Sequence, residues 1–317
     1  MYSHVSGTGM YLPERALTNN ELAKIVDTSD EWIRTRTGIE VRHIAAENEA
    51  TSDLAEKAAY SALEASGLGP KDIDMVVVGT CTPDLVLPNV ACLLQERMGM
   101  TGIAFSVEAA CSGFIYALTI ADQFIRLGQA KRALVVGAET MSRLLDWSDR
   151  ETCVLFGDGA GAVIIEAAEN PGILFSDLGA DGKHRALLCA DAGVSKLKVD
   201  ETAKLHMKGN DVFKVAVRTL EAMVDKVLLE NGLEQGQIDW FVPHQANIRI
   251  IEATAKRLGL PMERVILTVK QHGNTSAASI PMALDTAVRD GRIKRGDLLL
   301  LEAFGAGFTW GSCLLRY

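Results

Sequence analysis

Gly67-Leu68-Gly69-Pro70-Lys71-Asp72-Ile73-Asp74-Met75-Val76-Val77-Val78 decides the fold, because the chain writes it twice. Gly232-Leu233 is followed, after four residues, by Ile238-Asp239 and then by Trp240-Phe241-Val242. A helical pattern precedes each copy, Thr51 to Ser66 and Asp211 to Asn231. Thr51 is placed to cap the first helix, and Gly67 and Gly232 to end both with a left-handed residue. A second helix follows each copy and closes on similar letters, Arg97-Met98-Gly99-Met100 and Arg257-Leu258-Gly259-Leu260. Ala130-Lys131-Arg132 leads into the run Ala133 to Val136, and Ile293-Lys294-Arg295 into Leu298 to Leu301. Phe156-Gly157-Asp158-Gly159-Ala160-Gly161 is echoed by Phe304-Gly305-Ala306-Gly307. The offset drifts between roughly 150 and 165 residues, as two diverged copies of one unit allow.

The repeated unit reads strand, helix, strand, helix, strand. Its strands are short and continuously apolar, the pattern of a sheet buried on both faces. The expectation is an α/β protein of two similar halves, 1–170 and 171–317, meeting near Asn170-Pro171-Gly172. No low-complexity linker separates them, so they are expected to share an interface.

Composition narrows the function. The chain has 317 residues, 48% of them hydrophobic, enough for a large core. A net charge of −9 gives no bulk attraction to nucleic acid. The N-terminus lacks the basic and apolar segments of a signal peptide, and no apolar run reaches the ~18 residues needed to span a bilayer. The six cysteines (81, 92, 111, 153, 189 and 313) form no C-x-x-C pair, which argues against zinc and against a disulfide framework. A reducing cytoplasm is the expected compartment.

Three residues then stand out. Cys111, in Glu108-Ala109-Ala110-Cys111-Ser112-Gly113, lies between the apolar strand Ile103 to Val107 and the helical stretch Phe114 to Leu127. Backbone N–H groups at a helix entrance favour a thiolate, so the expectation is a lowered thiol pKa. Buried packing is the competing explanation. His244 follows the run Trp240 to Pro243, at a strand end where α/β proteins place ligands. Asn274, in Gln271-His272-Gly273-Asn274-Thr275-Ser276, precedes a helix from about Ser276 to Arg289 and falls opposite Cys111 in the duplication. A helix cap is its ordinary role. The turn Gly305-Ala306-Gly307 is placed to bring backbone N–H groups to a substrate oxygen.

At these residues the chain resembles β-ketoacyl-acyl-carrier-protein synthase III, the condensing family that initiates bacterial fatty-acid synthesis. The matching pieces are Glu-Ala-Ala-Cys-Ser-Gly at 108–113, Val-Pro-His-Gln-Ala-Asn at 242–247 and Gly-Asn-Thr-Ser-Ala-Ala-Ser at 273–279. Phe-Gly-Asp-Gly-Ala-Gly at 156–161, Phe-Gly-Ala-Gly-Phe-Thr-Trp-Gly at 304–311, Asp30-Glu31-Trp32-Ile33 and Thr35-Arg36-Thr37-Gly38-Ile39 add to them. The likeness runs in order along essentially the whole chain. It implies a thiolase-like fold, two duplicated halves layered α-β-α-β-α, and a homodimer.

The resemblance also implies a ping-pong condensation of an acyl-CoA with malonyl-acyl-carrier protein, without a metal or cofactor. Cys111 carries the acyl group, and His244 and Asn274 serve decarboxylation. The backbone N–H groups of Cys111 and Ala306 form an oxyanion hole. Thr28, Trp32 and Arg150 hold the adenine end of coenzyme A. Arg36, Gly209, Phe213, Asn247 and Arg249 line the pantetheine and phosphate route. Leu87, in the loop Pro83 to Pro88, gauges primer size, partly across the dimer interface. Apart from the resemblance, Arg249 and Lys256 share a helix face, and with Arg257 and a nearby Lys214 they are expected to form a basic patch for the acidic carrier protein, with a solvated helix face as the alternative. Ala306 stands where the family often has glycine, so an ordinary negative φ is expected there.

Rival expectations remain within the fold: thiolase, hydroxymethylglutaryl-CoA synthase, plant-type polyketide synthase, or, foremost, a condensing enzyme of secondary metabolism with another primer. Outside it, the chain order Cys-His-Asn also describes papain-like proteases, but their nucleophile signature is missing. A non-catalytic acyl-CoA-binding protein is the third class.

Overall fold

A computed structural model describes residues 1–191, 193, 195 and 203–317. Its nine central strands form two sheets. The first sheet is built from β1 (Tyr2–Tyr11), β2 (Met75–Gly79), β3 (Ile103–Val107), β4 (Arg132–Thr140) and β5 (Asp158–Ala168), in the order β1-β5-β4-β2-β3. The second contains β6 (Ile173–Ala180), β7 (Trp240–Pro243), β8 (Leu298–Gly305) and β9 (Thr309–Arg316), in the order β6-β9-β8-β7. The pairings match step for step. β1 and β6 run antiparallel to β5 and β9, these run antiparallel to β4 and β8, and β2 and β7 lie parallel to β4 and β8. β3 has a vestigial counterpart, the isolated parallel bridge from Phe241 to Val265. The duplication expected from the sequence is therefore a duplication of sheet topology.

Seven helices cover the sheets: α1 (Asp30–Thr37), α2 (Thr51–Ser66), α3 (Val90–Met98), α4 (Gly113–Arg126), α5 (Gly209–Glu230), α6 (Ile248–Leu258) and α7 (Ser279–Arg289). α4 and α7 lie between the sheets and are buried on most faces, because both sides are protein. Phe114, Leu118 and Ile125 of α4 join Ile280 and Leu284 of α7 in one core with Val77, Val135 and Val163 of the first sheet and Leu299 and Leu301 of the second. The halves thus share a core, and burying apolar side chains at ~1.5–3 kcal/mol each ties them together. The other helices cover the outer faces, which completes the α-β-α-β-α layering.

Local chemistry explains most helix ends. α2, α3 and α6 all stop at a glycine in the left-handed region, Gly67 (φ 72°), Gly99 (φ 66°) and Gly259 (φ 68°). The start of α2 differs from the expectation. Ala50 holds the cap position, and the Asp53 carboxylate accepts its N–H at 2.7 Å. Thr51 is drawn away because its hydroxyl bonds the Thr82 carbonyl and the Thr140 hydroxyl.

Candidate active site

The Cys111 turn and its counterpart are built alike. Ala110–Ser112 is a single 3-10 turn leading into α4, and Ser276–Ala278 is one leading into α7. Ala110 (φ 45°) and Ser276 (φ 51°), the first residue of each, are the non-glycine residues with positive φ among the described residues. That strain costs of order 1–3 kcal/mol and collects at functional sites. It also corrects the alignment of the halves. Matching the strained residues sets Cys111 opposite Ala277, three residues beyond Asn274. Sequence offsets alone could not show this, because loop lengths differ between the halves. Ala306 is not among the positive-φ residues, in keeping with its expected backbone.

Cys111 is 8% exposed, at the foot of a cavity of about 680 Å³. His244, Asn274, Trp32, Arg36, Arg150, Gly209, Phe213, Asn247 and Arg249 line the same cavity. Thr28 does not line it. Arg150, however, donates to the Asp27 carbonyl next door at 3.0 Å. Leu87 is 84% exposed and lines no part of its own chain's cavity.

The expected low thiol pKa is not what the geometry gives. Burial pushes the Cys111 thiol up to about 12, against hydrogen bonding from the Ser276 hydroxyl, and the nearby Glu139 carboxyl adds to the rise. The dipole at a helix entrance contributes at most ~2 kcal/mol. Desolvation of the buried sulfur outweighs that, so Cys111 rests as a thiol.

His244 ends β7, where its N–H donates to the Glu302 carbonyl of β8 at 2.8 Å. Its Nδ1 lies 2.6 Å from Ser279 Oγ, and Ser279 Oγ accepts the Gln245 N–H at 3.3 Å. In the tautomer in which the serine proton goes to Nδ1, the imidazole proton stands on Nε2. Burial holds the His244 pKa at about 3, so the ring is neutral. It is therefore a hydrogen-bond donor and cannot serve as a base.

Asn274 is held from both sides. Its N–H donates to the Leu155 carbonyl at 2.9 Å, and its carbonyl accepts from Gly157 at 3.0 Å, which gives the Phe156-Gly157 motif a task. Its Oδ1 accepts the Ser276 N–H at 2.9 Å, leaving the Nδ2 donors free. Asn274 is therefore not the helix cap, a position that Thr275 and Ala278 hold; its Oδ1 closes a local turn, and this fixes which end of the amide is available.

The turn after β8 abuts Cys111. A Cβ on Gly305 would stand 2.7 Å from Cys111 N, so only glycine lets the two backbones meet. Thr309 Oγ1 donates to the Ala109 carbonyl at 2.9 Å and to the Ala306 carbonyl at 3.1 Å, locking hairpin to turn. Sequence reasoning named Gly305 only as part of its turn, and it missed Thr309, Ser276, Ser279, Glu139 and Glu302. The motif letters contain three of these five, Thr309, Ser276 and Ser279, but nothing in a linear pattern says which touch.

At the mouth, Trp32 lies between the guanidinium of Arg36, 5.1 Å from its ring centre, and that of Arg150 at 4.9 Å. Arg249 lies 5.2 Å from the Phe213 ring. Two members of the basic patch are compensated, Lys214 by Asp211 and Arg257 by Asp225. No helix among the described residues is long and apolar enough to cross a membrane.

Family models described as 3-oxoacyl-[acyl-carrier-protein] synthase III and its C-terminal region match residues 105–182 and 228–317. Beta-ketoacyl-[acyl-carrier-protein] synthase III of Xanthomonas campestris pv. campestris is 61% identical over 100% of this chain and 99% of its own. That of Alkalilimnicola ehrlichii is 60% identical with the same coverage. The crystal structure of 3-oxoacyl-[acyl-carrier-protein] synthase III from Aquifex aeolicus superposes with a TM-score of 0.94 at 48% identity, covering 99% of this chain and 100% of that one. The priming β-ketosynthase of the R1128 polyketide pathway gives 0.95 at 36%, covering 99% and 96%. With relatives matched over essentially their whole length and each motif on the cavity or against it, the chain belongs to the β-ketoacyl-[acyl-carrier-protein] synthase III family.

Proposed function

We propose that the chain condenses an acyl-CoA primer, acetyl-CoA first among candidates, with malonyl-acyl-carrier protein, initiating fatty-acid synthesis. The observation that carries this is the single cavity holding Cys111, His244 and Asn274 at one end and the Trp32–Arg150 pair at the other. Cys111 sulfur attacks the thioester carbonyl, and the N–H groups of Cys111 and Ala306 receive the oxyanion. Coenzyme A leaves, and the acyl group stays on sulfur. The malonyl thioester then enters. Its carboxylate leaves as CO₂, and the electron pair passes to the thioester oxygen between His244 Nε2–H and the Asn274 amide. The enolate carbon attacks the acyl carbonyl, and Cys111 is expelled from the β-ketoacyl product. The scheme draws on no metal or cofactor, because two neutral donors stabilise the enolate.

The finer assignments follow from the same cavity. Adenine would part Arg150 from Trp32, with Thr28 beside it. Arg36, Gly209, Phe213, Asn247 and Arg249 would guide the phosphates and pantetheine. Arg249 and Lys256, with Lys214 and Arg257 behind them, would steer the carrier protein. Leu85, Val86 and Leu87 are exposed together, which suits a homodimer in which Leu87 closes the partner's acyl pocket. Six free cysteines suit a reducing cytoplasm. The secondary-metabolic alternative is not favoured, since identity to the polyketide enzyme is 36% against 61% for the synthase III relative.

The test is acylation with radiolabelled acetyl-CoA followed by malonyl-carrier protein. Label on Cys111, discharged as acetoacetyl product, is expected. An unlabelled Cys111 across a panel of acyl-CoAs would sink the reading.

A further inference from the structure

Acylation requires a thiol proton to leave Cys111, and the groups already assigned cannot take it. Cys111 rests as a thiol. His244 presents Nε2–H to the cavity, and its Nδ1 is committed to Ser279. The Asn274 amide is no base. One carboxyl lies behind the nucleophile turn: Glu139, at the end of β4 and fully buried. Five donors converge on it. Thr82 Oγ1 donates at 2.6 Å, Cys81 N–H at 3.1 Å, Thr80 Oγ1 at 3.2 Å, the Cys81 thiol at 3.3 Å and Ser276 Oγ at 3.1 Å.

Ser276 belongs to the turn that packs against the turn of Cys111, and its hydroxyl donates to Glu139 Oε1. Against the rise from burial, the same side chain lowers the Cys111 thiol pKa by hydrogen bonding. Its turn packs on the nucleophile's, so that a Cβ on Gly113 would lie 3.5 Å from Ala277 Cβ. The left-handed φ of 51° is the strain that holds a non-glycine residue there.

We propose that Ser276 and Glu139 form the route by which Cys111 gives up its proton on acylation and recovers it on condensation. The thiol proton passes to Ser276 Oγ as the serine's own proton passes to Glu139 Oε1. The S–H bond breaks, the S–C bond forms, and the thioester C–S bond breaks. Coenzyme A leaves as a thiolate and takes a proton from solvent, while Glu139 keeps the thiol's proton as a neutral acid. On condensation the acyl C–S bond breaks, and the Cys111 thiolate takes the stored proton back through Ser276. One solvent proton is consumed per turnover, as the overall reaction requires. Burial raises the Glu139 pKa above the usual carboxylate range, against hydrogen bonds from Thr82, Cys81 and Ser276, which makes it a stronger base than an exposed carboxylate.

This rests on Cys111 being the nucleophile, so the experiment reads both. Single-turnover acetylation by labelled acetyl-CoA, without malonyl-carrier protein, is followed from pH 7 to 9 in the full-length protein. Wild type is compared with Ser276→Ala, Glu139→Gln and Glu302→Gln. The groups facing Cys111 are Glu139, Cys81 and Ser276, with neutral His244 and Glu302 on the cavity wall. Both relay variants should acetylate roughly 100-fold or more slowly at pH 7. The deficit should shrink about tenfold per pH unit as hydroxide takes the proton instead. Malonyl-carrier-protein decarboxylation should fall far less than acetylation. Rates within threefold of wild type, a deficit of equal size at every pH, or the pH-rescued deficit in Glu302→Gln instead would overturn the relay. If Glu139→Gln does not fold, Ser276→Ala decides alone. Label on a residue other than Cys111 would overturn the nucleophile assignment beneath it.

Discussion

His244 and Asn274 are bound on one side and free on the other, and this asymmetry makes them useful. Ser279 occupies Nδ1 of the histidine, and the Ser276 N–H occupies Oδ1 of the asparagine. Each is left with N–H groups for a developing enolate. Losing one such donor costs about 3–4 kcal/mol of barrier. His244→Ala and Asn274→Ala should therefore slow condensation by roughly 10²–10³-fold while sparing Cys111 acetylation, measured separately by single-turnover labelling. Because burial holds His244 near 3, its ring stays neutral from pH 5 to 9. The condensation rate should show no histidine titration in that range. A limb near pH 6.5 that disappears in His244→Ala would contradict the neutral-donor role.

At the scale of elements, the two strained 3-10 turns and the end of β8 form one structural joint. Its tightest point is Gly305 against Cys111 N. Gly305→Ala has a tolerable φ but no room, so either β8 or the nucleophile turn must shift. Acetylation should fall at least tenfold, since small displacements at a reacting atom are costly. Melting temperature should also drop, as overpacking typically costs ~1–3 kcal/mol. Wild-type acetylation in this variant would show the joint to be slack. The elements themselves were legible in the sequence. Apolar runs and terminal glycines mark β2, β3, α2, α3 and α6, because strand burial and helix ending are local problems. The joint was not legible. The nucleophile could be placed at a helix entrance, but the burial that raises its pKa comes from three other segments. The cap of α2 was misplaced for the same reason: Thr51 has a better offer from β4 and the loop after β2.

At the scale of the whole molecule, stability carries the imprint of groups buried for function. Glu302 lies on the cavity wall at 1% exposure, and neither carboxyl oxygen has a hydrogen-bond partner among the described residues. Desolvation raises its pKa well above 4.5, so it is neutral in the folded state over a range where the unfolded chain carries it ionised. Folding then takes up a proton. The native state binds more protons than the unfolded state above pH 4.5, so stability falls as pH rises from there toward the folded pKa. The slope for one proton is about 1.4 kcal/mol per pH unit. Buried neutral His244 and His272, near 3 and 4, act in the opposite sense. Their cost appears as pH falls below 6.5, where the unfolded chain protonates them. Glu302→Gln removes the first contribution and leaves the second. Denaturant titrations should show the variant more stable than wild type at pH 8, with the gain shrinking toward pH 5 and gone below 4.5. A gain independent of pH would mean that Glu302 is not neutral in the folded chain.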